Sequence, residues 1–143
     1  MEPSKLNTGL DTLERSVCLR LISNETVGRL GVIIDGRPEV YPVNFVVVAG
    51  EDILIHTDQG RKLAAAVGGP VVFEVDHLDA TTRTGWSVMV HGTAHLTSGH
   101  EVRAGSQNGV LRPWRNADLP HQLRIGMATV TGRRINLPVR VGS

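Results

Sequence analysis

Large aromatic rings are scarce in this chain: two tryptophans, two phenylalanines and one tyrosine make up 3% of its 143 residues. Proteins that hold single-stranded nucleic acid stack bases on several such rings and surround them with cations. Charge does not make up the deficit, because 15 Lys and Arg stand against 14 Asp and Glu, a formal balance of +1. Nucleic acid is therefore not expected as a partner. A single cysteine, Cys18, excludes an internal disulfide and any cysteine-cluster metal site. It reads as a core thiol and suits a reducing compartment. Nowhere does an apolar run approach the roughly 20 residues of a membrane span, and charges are scattered through the first twenty residues where a signal peptide would be continuously apolar. The expectation is a cytoplasmic protein with no membrane partner.

What the chain does have is 41% hydrophobic content, arranged as short apolar runs between turn signals. This predicts one domain over residues 1–143, with residues 1–8 and 137–143 as loose ends. A helix is predicted from Asp11 to Ile22, with Asp11 and Glu14 as a capping pair and Leu10, Leu13, Val17 and Leu21 on one face. Strands are predicted at Gly28–Ile34, at Glu39–Val48 after an Asp35-Gly36 turn, and at a run ending in His56 after Ala49-Gly50-Glu51-Asp52. Further strands follow at Pro70–Val75, Gly85–Leu96, Leu123–Thr131 and Arg133–Ile135, with a polar, helical stretch over Ser98–Val110. Many strands, few helices and short links give a mainly β (α+β) class, an antiparallel barrel in preference to a doubly wound parallel sheet.

The segment Ile53–Asp76, ILIHTDQGRKLAAAVGGPVVFEVD, carries the clearest chemistry. A strand runs into His56 and Thr57, turns at Asp58-Gln59-Gly60, and meets Arg61 and Lys62, which are predicted to open an alanine-rich helix through Val67. Unpaired backbone N–H groups beside two cations attract an anion, and a phosphate suits them; a solvated, charged turn is the plainer reading of the same residues.

In this order of elements the sequence resembles the pyridoxamine 5′-phosphate oxidase-like superfamily of split β-barrel flavoproteins, in particular a small actinobacterial-type branch related to nitroimidazole reductases. The likeness runs from about Leu13 to Ile135, through VGRLGV at Val27–Val32, RPEVYPVNFVV at Arg37–Val47, ILIHTDQGRKLAA at Ile53–Ala65, VVFEVDHLD at Val71–Asp79, TGWSVMVHGTA at Thr84–Ala94 and TGRRI at Thr131–Ile135. It implies an antiparallel split β-barrel of the FMN-binding type with a few short helices. It also implies flavin mononucleotide (FMN) at a homodimer interface, with a deazaflavin coenzyme or haem as alternatives.

The resemblance assigns Arg61 and Lys62 to the cofactor phosphate, and His56 and Thr57 to the ribityl chain and ring. Pro42, Val43 and Asn44 fall to the pyrimidine side, and Trp86 and Ser87 to the strand that reaches the cofactor from the second subunit. Asn44 has a reason of its own, since an amide within an apolar run needs a hydrogen-bond partner, whether a flavin or a backbone group across the barrel. Trp86 reads equally as a core or interface aromatic, and Trp114 as a loop residue over the site. His91 and His95 share one face of a strand roughly 13 Å apart, too far for one metal. His77, His100 and His121 fall in loops or at element ends and read as solvated residues in preference to ligands. No Ser-His-Asp set or carboxylate pair supports hydrolysis, so no catalytic residue is named.

The resemblance implies a flavin-binding oxidoreductase acting on a small-molecule substrate, the alternative being a non-catalytic protein that holds or senses flavin, deazaflavin or haem. The substrate-gripping signatures of pyridoxamine phosphate oxidases are not reproduced by Tyr41-Pro42-Val43-Asn44 or by Asn136–Ser143, which argues against vitamin B6 oxidation.

Overall fold

The structure is a computed structural model that describes residues 10–48, 52–56, 63–97 and 122–136. Its elements are β1 (Leu10–Leu13), α1 (Arg15–Ile22), β2 (Val27–Ile34), β3 (Arg37–Val48), β4 (Asp52–His56), a 3₁₀ turn (Ala64–Ala66), β5 (Pro70–Asp79), β6 (Thr84–Thr97), β7 (Gln122–Gly126) and β8 (Thr129–Asn136). The sequence period builds β2: Gly28, Leu30, Val32 and Ile34 turn inward while Val27, Arg29 and Ile33 face out. Asp35 and Gly36 then take φ values of +54° and +78°. Both lie in the left-handed region, which gives the hairpin turn whose twist matches its strands.

All described pairings are antiparallel, and six strands close a ring in the order β6-β5-β2-β3-β4-β7, with β7 returning to β6. The fourteen residues of β6 make the split. One edge pairs with β5, while the other gives Thr84–His91 to β8 and Ala94–Thr97 to β7. Gly92 sits where β7 and β8 part, and a Cβ there would stand 2.5 Å from the Gly126 carbonyl oxygen. Inside the ring, Phe45 and Phe73 meet edge to face at 4.9 Å between centroids, among Leu30, Ile53, Ile55, Val90, Leu123 and Ile125. Helix α1 packs on β8, where Gly132 makes room for the Cys18 thiol; a Cβ on Gly132 would lie 2.4 Å from Sγ.

The predicted split barrel is the architecture observed, with corrections at its edges. Residues Leu10–Leu13 are not helical: they form β1 and pair with β8. Pairing with an open sheet edge outweighs the helical spacing of the apolar residues. The helix begins at Arg15 and Glu14 makes no side-chain cap; Cys18 and Ile22 are its fully buried residues, with Val17 and Leu21 of the predicted stripe partly buried against the core. Strand β5 runs on past the predicted Val75 to Asp79, which places His77 near the end of the strand, exposed. The last two strands part at Met127-Ala128, and Gly132 lies within β8. Beyond Ala66 the alanine-rich segment is extended at Val67. The predicted turns at Ala49-Gly50 and Asp58-Gln59-Gly60, the stretch Ser98–Val110, Trp114, His100 and His121 lie outside the described residues. No helix among the described residues is long and apolar enough to cross a membrane.

Candidate functional site

The outer wall of β3, β4 and β7 departs from the usual pattern of a barrel exterior. Ile53 and Ile55 of β4 point into the core, so Leu54 and His56 point out; yet Leu54 is 1% and His56 2% exposed. Leu54 packs with Val46 and Val48 in a cluster separate from the core. His56 pairs in register with Asn44 of β3 on one side and Gln122 of β7 on the other. Opposed residues of antiparallel strands present their side chains on one face, about 4.5–5.5 Å apart at Cβ. The result is a polar row, Asn44, His56 and Gln122, on a dry wall.

Two members of the row are unsatisfied. Among the described residues, neither ring nitrogen of His56 has a hydrogen-bond partner, and neither has the Gln122 side-chain oxygen. An unpaired buried polar group costs about 1–3 kcal/mol, and most buried polar atoms in proteins are paired. Burial pushes the His56 pKa below the ordinary imidazole value. The ring is therefore neutral at pH 7, with one nitrogen able to donate and the other to accept. Further along the same wall, Arg124 donates from Nε to Asp52 Oδ2 at 2.7 Å, and its terminal nitrogen reaches the same oxygen. Here the protein answers its own charge.

A second polar cluster lies across the barrel on the outer wall of β2, β5 and β6. Arg29 Nη1 stands 3.9 Å from Glu74 Oε1 and 3.6 Å from Asp76 Oδ1, and Ser87 donates to Glu74 Oε2 at 3.0 Å. Burial, followed by the neighbouring Asp76 carboxyl, raises the Glu74 pKa to about 7. A half-dry place beside a second carboxyl lets Glu74 keep its proton to higher pH than an exposed carboxyl would, the Arg29 guanidinium opposing the shift.

The structure brings together only part of the predicted constellation. Asn44 and His56 are register partners on one wall, with Pro42 exposed on the same outer face. The Val43 side chain is buried in the core, so only its backbone is on offer there. Ser87 is committed to Glu74, and Trp86 is half-buried against the core. Trp86 lines a cleft of about 410 Å³ with His77, Gly85 and Arg134. Trp86 and Ser87 lie on the part of β6 that pairs with β5 and β8, whereas β4 reaches β6 through β7 at the other end of that strand, Ala94–Thr97. Thr57, Arg61 and Lys62 lie outside the described residues. His91 and His95 are both exposed on β6. The residue that sequence reading missed is Gln122: with the last strand pair predicted to begin at Leu123, a glutamine one position earlier carried no pattern. Its register opposite His56 was the missing signal.

A sequence model of the pyridoxamine 5′-phosphate oxidase family matches residues 14–134. The chain belongs to that family. It is 36% identical over 129 residues to the uncharacterized protein Rv0080 of Mycobacterium tuberculosis, in an alignment covering 86% of this chain and 84% of the relative. Among solved structures, the FAD binding protein from Mycobacterium smegmatis superposes with a TM-score of 0.72 at 31% identity, covering 89% of this chain and 99% of that one. A conserved protein of unknown function from Corynebacterium diphtheriae gives a TM-score of 0.71 at 29% identity, covering 89% and 98%. The matched regions cover between 84% and 99% of these relatives.

Proposed function

We propose that the protein is a homodimeric flavoprotein that binds FMN on the outer wall of β3, β4 and β7 and transfers electrons to or from a small molecule. The observation that carries this reading is the buried, unpartnered imidazole of His56, set between Asn44 and Gln122 in a family whose relatives include a named FAD binding protein. Arg61 and Lys62 follow His56 closely in sequence and hold the phosphate by charge-assisted hydrogen bonds. Neutral His56 and Asn44 meet the uncharged ring, and the Leu54 wall keeps water from it. The bound flavin supplies the hydride or electron chemistry; the polypeptide supplies position, polarity and dryness.

The second copy enters because Val27, Ile33 and Val40 are 46%, 49% and 68% exposed on the β2–β3 wall that continues from Asn44. An apolar surface beside a site favours two-fold pairing, and a second copy is the means by which Trp86 and Ser87 reach a flavin on this wall.

The test is the visible absorbance of the purified protein and the mass of what it releases on denaturation, with a flavin expected. Arg61→Glu should weaken FMN far more than riboflavin, by roughly 1.5–3 kcal/mol for each charge-assisted bond to the phosphate that is lost. Equal loss for both ligands would remove Arg61 from the phosphate. Sedimentation equilibrium at low micromolar concentration should give a dimer. Bleaching of the bound flavin by a reduced nicotinamide, with recovery on adding an acceptor, separates an enzyme from a protein that only holds its cofactor.

A further inference from the structure

The outer wall of β2, β3 and β5 sets charge in the middle of apolar surface. On β2, Arg29 stands between Val27 and Ile33, both about half-exposed. On β3, Val40 and Pro42 lie exposed opposite Gly31 and Arg29. Glu74 and Asp76 share the outward face of β5, with Arg29 3.9 and 3.6 Å from their oxygens and their side chains 25% and 27% exposed. From β6, Ser87 donates to Glu74, Met89 lies opposite it, and His91 follows on the same face, exposed. Arg133 of β8 stands one strand further, opposite Ser87. At the centre, one guanidinium faces two carboxyls.

This wall loses by staying wet, and its carboxyls lose by drying. The apolar side chains favour a cover, and a formal charge of +1 sets up little repulsion between two copies of the chain. A two-fold contact puts the same patch on both sides of the interface. Two Glu74–Asp76 pairs then leave water together, and the carboxylate that lacks a cation of its own is the costly member. A bound proton removes that cost. Burial beside Asp76 already raises the Glu74 pKa to about 7 in the single chain, and the Ser87 hydroxyl, which can donate or accept, bonds either form of the carboxyl.

We propose that two copies join through this wall with the uptake of a proton by the Glu74–Asp76 pair of each, so that the dimer is tight in mildly acid solution and loosens above neutrality. The inference rests on the dimer reading above and adds to it the group that controls assembly. A carboxyl whose pKa is higher in the dimer than in the free chain favours the dimer fully below the free-chain value, about 7, and the advantage is lost as pH rises through the dimer value.

The experiment is sedimentation equilibrium of the full-length protein at pH 6 and pH 8.5. If dimer formation raises the carboxyl pKa by one further unit in each copy, the wild-type dimer should be roughly fiftyfold weaker at the higher pH. Glu74→Gln is neutral at both and should form a dimer of one strength. A dimer too tight to dissociate is compared by subunit exchange between natural and ¹⁵N-labelled chains in native mass spectrometry: wild type should exchange faster at pH 8.5, and the variant equally at both. A wild-type dimer unaffected by pH overturns the proposal and leaves the dimer reading standing. So does a Glu74→Gln dimer that keeps the wild-type dependence, or a His91→Gln dimer that loses it, since the imidazole would then hold the proton. A monomer at both pH values overturns the dimer reading, and this inference with it. Should Glu74→Gln fold poorly, Asp76→Asn replaces it: with one carboxyl left to the Arg29 guanidinium, the pH effect should shrink to less than about tenfold, and an unchanged effect overturns the proposal.

Discussion

Two polar clusters on the barrel wall differ in how they are satisfied. On β2, β5 and β6, Arg29, Glu74, Asp76 and Ser87 answer one another with charge and hydrogen bonds, and the three charged side chains stay partly in water. On β4 and β7, His56 and Gln122 are uncharged, almost fully buried and unanswered. The first is a closed network whose removal or repair changes stability. The second is a buried set of donors and acceptors with no partner among the described residues, at a cost of about 1–3 kcal/mol for each group left unpaired. The proposed function gives that cost a use, since a docked ligand would answer it.

The largest test of this contrast lies in the closed cluster. A carboxyl held near 7 in the folded protein, against an ordinary 4.5, binds a proton that the unfolded chain has already released between those two pH values. Stability therefore falls as pH rises from about 4.5 to about 7 and levels off above. Glu74→Gln removes that term while keeping a group for Ser87 to bond. The variant should be more stable than wild type at pH 8, on the order of 2 kcal/mol, less than the full shift implies because water reaches the carboxyl. Urea denaturation at pH 5 and pH 8 measures it. A variant whose stability keeps the wild-type slope between those values would show that Glu74 does not carry the proton.

The open cluster should behave in the opposite sense. His56→Leu has similar bulk and removes two unpaired buried nitrogens, so the ligand-free protein should gain about 1–2 kcal/mol while losing affinity for flavin. Denaturation with and without FMN would show the trade: wild type gains stability from the ligand, and the variant gains little. A variant destabilised in the absence of ligand would mean that the imidazole is already satisfied, and the contrast would collapse.

The smallest effect belongs to Arg29, half-exposed and 3.6–3.9 Å from its carboxylates. Arg29→Met should change stability at pH 8 by less than about 1 kcal/mol. It should also raise the pH at which the Glu74 proton leaves, because the guanidinium lowers the Glu74 pKa. A titration of the Glu74 carboxyl by NMR, unchanged by the substitution, would remove Arg29 from the cluster.

Much of the barrel was legible without coordinates because its signals are local. The alternation in VGRLGVII, the Asp35-Gly36 turn and the apolar run ILIH each determine their own conformation within a few residues. The failures came where a distant strand decided. Leu10–Leu13 took the edge of β8, 120 residues away, against its own helical spacing. Of the site, Asn44 and His56 were legible as polar residues in apolar strands. Gln122 was not, since its meaning comes from lying opposite His56 across a ladder that joins segments far apart in the chain.

By itself the sequence determined the class of fold, its family and the near-zero net charge of the molecule, because composition, period and turn chemistry act over short range. Only the tertiary structure decided that β6 divides its edge between β7 and β8, that Trp86 and Ser87 fall on the part of β6 paired with β8 while β4 reaches β6 through β7, and that three buried polar atoms of neighbouring strands have no partner among the described residues. The physical reason is the same in each case: register between strands is set by which face must be dry, and dryness is a property of the assembled wall, not of any one residue in it.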